Sequence, residues 1–179
     1  PFSCRPADQV LAQQQMHDRF FFCDVQCRGH YPAYALKMFE RKGFNIDNTE
    51  EDKKALAEGT VDYIGFSYYM TNVVDSTVTK DVSKSTDGSS EHSVKNPYIK
   101  ESDWGWAIDP KGLKFFMHEI YDRYQIPLMN CENGLGAFDI LEEDGRVHDQ
   151  YRIDYMREHV KAMSEGIDEG VDLSLIHIW

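Results

Sequence analysis

Ile126-Pro127-Leu128-Met129-Asn130-Cys131-Glu132-Asn133-Gly134 reads as a short strand that delivers a carboxylate to its C-terminal end. Proline costs least at a strand's first position, and Asn133-Gly134 turns the chain away after the carboxylate. Upstream, Asp109-Pro110 supplies an N-cap and a first-turn proline for a helix with Leu113, Phe116, Met117, Ile120, Tyr121 and Tyr124 on one face. Downstream, a turn around Asp144-Gly145 leads into a second helix, capped by Asp149, with Ile153, Met156, Val160, Met163 and Ile167 as its expected inner stripe. Farther out, Val61-Asp62-Tyr63-Ile64-Gly65-Phe66-Ser67-Tyr68-Tyr69 is nearly continuously apolar, as in a strand buried on both faces of a parallel sheet. Val171-Asp172-Leu173 starts another strand. This alternation is that of consecutive βα units, hence an α/β fold. An open doubly wound sheet and part of a (β/α)8 barrel both fit, and both gather function at the C-terminal strand ends, where Tyr68, Tyr69 and Glu132 stand.

The first 60 residues read as helices over residues 6 to about 22, 33–42 and 50–58, with Gly43 and Gly59 as terminators and a capping sequence at Thr49-Glu50-Glu51-Asp52. Residues 75–94 are polar and serine-rich without hydrophobic period. They are expected to form a loop without elements, over the cleft mouth or on the surface. With 41% hydrophobic and 13% aromatic residues in 179, the chain can build one core and is not of the disordered class. Its formal charge of -12 is spread along the chain and repels phosphate backbones, so nucleic acid is not an expected partner. Cys4, Cys23, Cys27 and Cys131 match neither a disulfide scaffold nor a zinc site, which suits reduced thiols and a cytoplasmic location. No apolar run approaches the roughly 20 residues of a membrane helix, so no membrane partner is expected.

Alternation along a strand predicts that Asn130 and Glu132 point one way and Cys131 the other. From its residue type alone, Glu132 can be a nucleophile, a general base, a metal ligand or a turn cap. His118-Glu119 lacks the second histidine of a helical zinc motif, and Asp139 takes the third glycine position of a dinucleotide fingerprint after Gly134-Leu135-Gly136. No metal and no cofactor is expected. A carboxylate near tyrosines and tryptophans suits carbohydrate, since sugar rings stack on aromatics and an oxocarbenium-like centre can be trapped by a carboxylate. Core packing is the competing explanation for Trp104 and Trp106.

These residues resemble glycoside hydrolase family 1, especially its 6-phospho-β-glucosidase branch. Glu132-Asn133-Gly134 matches the family's nucleophile motif, and Leu135-Gly136-Ala137-Phe138-Asp139 continues it. Gly29-His30-Tyr31-Pro32, the strand ending in Tyr68-Tyr69, and Asp103-Trp104-Gly105-Trp106-Ala107-Ile108-Asp109-Pro110-Lys111-Gly112-Leu113 are similar to the family pattern in the right order. Ser67 stands where many members carry Asn. The resemblance implies residues 1–173 as the C-terminal part of a single barrel domain, roughly its C-terminal half without the last strand. It also implies retaining hydrolysis of 6-phospho-β-D-glucosides, with Glu132 as nucleophile and Tyr69 orienting it. Trp106, with Tyr68 and Trp104, would bind substrate. Plain β-glucosidase, 6-phospho-β-galactosidase and a non-catalytic carbohydrate-binding remnant are the alternatives.

The family's acid/base carboxyl lies in an Asn-Glu-Pro motif that this sequence lacks, and Glu50, Glu51, Glu142 and Glu143 occupy helix or turn contexts. Residues 174–179 depart from the family pattern and are expected to be a foreign tail. A fragment at both ends is therefore expected, inactive by itself, with homo-oligomerisation left open for the parent.

Overall fold

The computed structural model describes residues 1–83 and 89–176. Three parallel strands form the main sheet in the order β1 (Ile64–Tyr68), β4 (Leu128–Asn133), β5 (Leu173–Ile176). A short antiparallel pair, β2 (Val73–Val74) with β3 (Ser93–Val94), closes the base of the serine-rich segment. The expectation of a segment without elements thus fails at its ends. Its two limbs also bond each other, Asp75 N–H to the His92 carbonyl and Lys80 N–H to that of Glu91. Residues 174–176 lie within β5, whereas 177–179 fall outside the described residues.

Among the described residues, five helices flank these strands: α1 (Pro6–Arg28), α2 (Ala33–Arg41), α3 (Glu50–Glu58), α4 (Pro110–Tyr124) and α5 (Gln150–Asp168). The caps read from the sequence form at two of them. Thr49 and Asp52 make a reciprocal capping box, and the Asp109 carboxylate accepts the Gly112 N–H at 2.9 Å. α1 runs six residues past its expected end near Phe22. Asp24 and Val25 are buried there against other elements, and only Gly29, at φ 69°, stops the helix. A side chain at Gly29 would also strike the backbone of Ala57, so glycine is required twice over.

The core lies between the sheet and the helices: Phe20, Ile64, Phe66, Tyr68, Leu113, Met117, Ile120, Leu128, Met163 and Val171. The stripe expected on α4 holds, with Leu113, Met117 and Ile120 buried and Phe116, Tyr121 and Tyr124 packed at its margin. On α5 it does not. The buried face is Tyr155, His159, Ala162, Met163 and Gly166, while Ile153, Val160 and Ile167 are exposed. The helix is turned so that Gly166 lies against the end of the Met117 side chain, whose terminal methyl would have to move for a bulkier residue.

Among the described residues, helices cover one side of the sheet, and β1 is buried on that side alone, which corrects the expectation of a strand buried on both faces. In β1, Ile64, Phe66 and Tyr68 are buried, whereas Gly65 and Ser67 face outward on the open side. Pairing with β4 slips at one point: Phe66 pairs with Asn130, but Ser67 pairs with Glu132, so Cys131 is the extra residue of a bulge. That bulge overturns the expected alternation. Asn130 is buried on the helix side, its amide near the Met163 sulfur, while Cys131 abuts Gly65 and Glu132 reaches Ser67 on the open side.

Candidate active site

Two donors meet on the Glu132 carboxylate. The Tyr69 phenol and the Ser67 hydroxyl each donate to Oε2 at 3.0 Å, and neither engages Oε1. Residues 65 and 67 share one face of β1 by strand alternation and Tyr69, the residue after its end, continues it, so Ser67 and Tyr69 arrive on the side to which the bulge turns Glu132. Burial pushes the Tyr69 phenol above its ordinary range, and its bond to Glu132 and the negative charge of that carboxylate add to this. Tyr69 is thereby a firmly neutral donor to the carboxylate.

Aromatic rings extend outward from this pair. Tyr69 and Trp106 have centroids 5.4 Å apart, Trp106 and Trp104 cross nearly at right angles at 5.5 Å, and Trp104 meets Phe138 at 6.2 Å. The segment carrying both tryptophans is a tight turn. Ser102 N–H bonds the Trp106 carbonyl, Gly105 N–H bonds that of Ser102, and Gly105 takes φ 77°. A side chain at Gly136 would overlap the Trp104 indole, so the chain beyond Glu132 is the floor on which that ring rests. Trp104 is half exposed, with 53% of its surface accessible, which leaves a ring face for stacking on a sugar.

Tyr68 does not belong to this constellation. Its ring is buried on the helix side, where the hydroxyl donates to the Asp109 carbonyl at 2.7 Å and lies 2.6 Å from the Thr71 hydroxyl. One step of alternation separates it from Tyr69, so its expected place in the cleft is corrected to the core. Ser67 takes a role that the sequence reading did not give it, although its two-residue spacing from Tyr69 was a sufficient signal. Behind the sheet, Asn133, Tyr155 and His159 form a buried polar group that sequence reading also missed. The Asn133 amide donates to the Tyr68 carbonyl at 2.7 Å and to the Tyr155 hydroxyl at 3.1 Å.

The model of Glycosyl hydrolase family 1 matches residues 1–179. The chain belongs to that family. It is 53% identical over 175 residues to the aryl-phospho-beta-D-glucosidase BglA of Bacillus subtilis, which covers 97% of the chain and 36% of the relative. It is 46% identical over 179 residues to the phospho-cellobiase of Klebsiella oxytoca, covering 100% of the chain and 38% of the relative. Among solved structures, a family 1 β-glucosidase from Thermotoga maritima superposes with a TM-score of 0.78 at 28% identity, over 100% of the chain and 38% of the other. The chain therefore spans less than two fifths of the length of these family 1 proteins. Its three parallel strands and their helices are an open segment of the family's (β/α)8 barrel. Glu50 and Glu51 lie exposed on α3, and Glu142 and Glu143 in an exposed turn, so none of these joins Glu132. Among the described residues, no helix is long and apolar enough to cross a membrane.

Proposed function

We propose that the protein containing this chain hydrolyses 6-phospho-β-D-glucosides with retention of configuration, and that Glu132 is its nucleophile. The observation that carries the reading is the pair of bonds from Tyr69 and Ser67 to one oxygen of Glu132, on the open face of the sheet and beside the aromatic wall. With Oε2 held by both donors, Oε1 is left to attack the anomeric carbon. The leaving oxygen departs with a proton from a second carboxyl, and a glycosyl ester forms on Glu132. Water, deprotonated by that same second carboxylate, then cleaves the ester and frees the sugar. Retaining enzymes hold the two carboxyls about 5 to 5.5 Å apart. The second is supplied from outside these 179 residues.

Trp106 and Trp104 offer apolar ring faces to the substrate, and Tyr69 keeps the carboxylate aimed. The choice of a phosphorylated glucoside rests on the relatives, an aryl-phospho-beta-D-glucosidase and a phospho-cellobiase at 53% and 46% identity. The Thermotoga β-glucosidase, at 28% identity, is the more distant relative and so weaker support for an unphosphorylated substrate. For the complete protein, aryl 6-phospho-β-glucoside, aryl β-glucoside and aryl 6-phospho-β-galactoside are compared by kcat/KM, and the anomer first released is followed by proton NMR. The expected outcome is preference for the phosphoglucoside and release of the β-anomer. An α-anomer refutes retention, and preference for either other substrate refutes the assignment of specificity.

A further inference from the structure

Glu132 sits on β4 and Tyr69 directly follows β1, so the 3.0 Å bond between them is only as well defined as the relative placement of β1 and β4 at their ends. The bulge at Cys131 interrupts the regular ladder just before that point, and β1 itself stops at Tyr68. Something other than the ladder must hold the Tyr69 backbone. Behind the sheet, the Asn133 amide uses both of its N–H groups, one on the Tyr68 carbonyl at 2.7 Å and one on the Tyr155 hydroxyl at 3.1 Å. The Tyr155 hydroxyl passes the chain on, donating to the Tyr69 carbonyl at 3.0 Å. Two successive carbonyls at the end of β1 are thus tied to the residue that follows Glu132.

We propose that Tyr155, on α5, is a positioning residue for Glu132. Its hydroxyl closes a ring that runs from Glu132 through Asn133, Tyr155 and the Tyr69 backbone, and returns through the Tyr69 phenol to the carboxylate. This rests on the reading of Glu132 as nucleophile. Tyr155 is fitted for such a role because it has little freedom of its own. It is 2% exposed, its ring stacks on His159 with centroids 3.8 Å apart at 23°, and the His159 Nδ1–H donates to the Tyr155 carbonyl at 2.8 Å. Burial lowers the pKa of His159, which keeps the imidazole neutral beneath the phenol. A buried chain whose rotamers are fixed by packing transmits position, and a displacement of about 1 Å at a reacting group can cost two orders of magnitude in rate.

The test is a double-mutant cycle in the complete enzyme, with Tyr155→Phe, Tyr69→Phe and the pair, using an aryl 6-phospho-β-glucoside. Tyr155→Phe keeps the ring and its stacking and removes only the hydroxyl. We expect kcat to fall about tenfold with KM changed less than about twofold, the pattern of lost transition-state stabilisation. In the Tyr69→Phe background, where the phenolic contact is already gone, the same substitution should change kcat less than about twofold. An unchanged kcat, or a loss of equal size in both backgrounds, overturns the proposal and leaves Tyr155 as a packing residue. Should Tyr155→Phe not yield folded enzyme, Asn133→Ser breaks the ring at its other side and is put through the same cycle with the same criteria. Turnover by the unsubstituted enzyme decides the function, while the ratio between backgrounds decides the ring, so either can fail separately.

Discussion

Replacing Tyr69 by Phe removes one of the two hydrogen bonds on Glu132 without emptying the space its ring fills beside Trp106. A hydrogen bond to a charged group contributes about 1.5–3 kcal/mol, so kcat of the complete enzyme should fall about 10- to 100-fold. Ser67 is exposed on the open face, and Ser67→Ala should cost less than about tenfold. Steady-state kinetics on an aryl 6-phospho-β-glucoside checks both, and equal losses would contradict the ranking. Because its pKa is raised by burial, Tyr69 stays protonated past the ordinary phenol value of 10.0, so its ionisation should not shape the alkaline limb below that pH. At this scale the grouping of Glu132, Tyr69 and Trp106 was legible from residue order and motif, and the structure brings the three side chains together. Tyr68 was misplaced because two adjacent tyrosines were read as one feature, although a strand must send them to opposite faces. The Asn130–Cys131–Glu132 alternation failed for a different reason. Nothing local marks the bulge, which arises from pairing with β1.

Asp24 ties three helices together, α1, α2 and α4. Its carboxylate is wholly buried on α1, where Arg123 of α4 grips it with two bonds at 2.8 and 2.7 Å and Tyr34 and Tyr124 also donate. Burial alone would raise the pKa of Asp24, but these donors outweigh it and hold the group below its ordinary value of 3.8. The sign follows directly: the stabilisation is complete above that value and is lost as pH falls below it, because the unfolded chain then binds a proton that the folded chain resists. Asp24→Asn should destabilise the complete protein by about 3 kcal/mol at neutral pH, towards the lower end for a broken buried pair because Arg123 keeps partial solvent contact. Urea unfolding measures this, and the gap between the two proteins should narrow below about pH 4. A gap that widens on acidification would contradict the assignment. No period in the sequence pointed to Asp24, since α1 was expected to end before it. The α5 face was misread for a related reason: Tyr155, His159 and Gly166 look unlike core residues, whereas Ile153, Val160 and Ile167 form a regular row that the fold leaves exposed.

At the scale of the molecule, the α/β order of elements was legible because each βα unit carries its own punctuation, whereas the one-sided burial of the sheet was not. Continuous apolar sequence cannot report that helices cover one face only, with Gly65 and Ser67 on the other. In this chain β1 and β5 are the outer strands of the sheet, and each presents a backbone edge without a strand partner among the described residues. These 179 residues produced alone should therefore associate and show no turnover, as the Asn-Glu-Pro carboxyl expected to complete the displacement is not in this sequence. Size-exclusion chromatography and an aryl 6-phospho-β-glucoside assay check this, and monomeric material with the rate of the complete enzyme would contradict it. The central claim is the covalent role of Glu132, and it is tested most directly by trapping. The complete enzyme is incubated with a 2-deoxy-2-fluoro 6-phospho-β-glucoside bearing an activated leaving group, then analysed by intact mass and peptide mapping. The account predicts one fluorosugar phosphate per chain, esterified to Glu132. Absence of a covalent adduct, or an adduct on another residue, would contradict it.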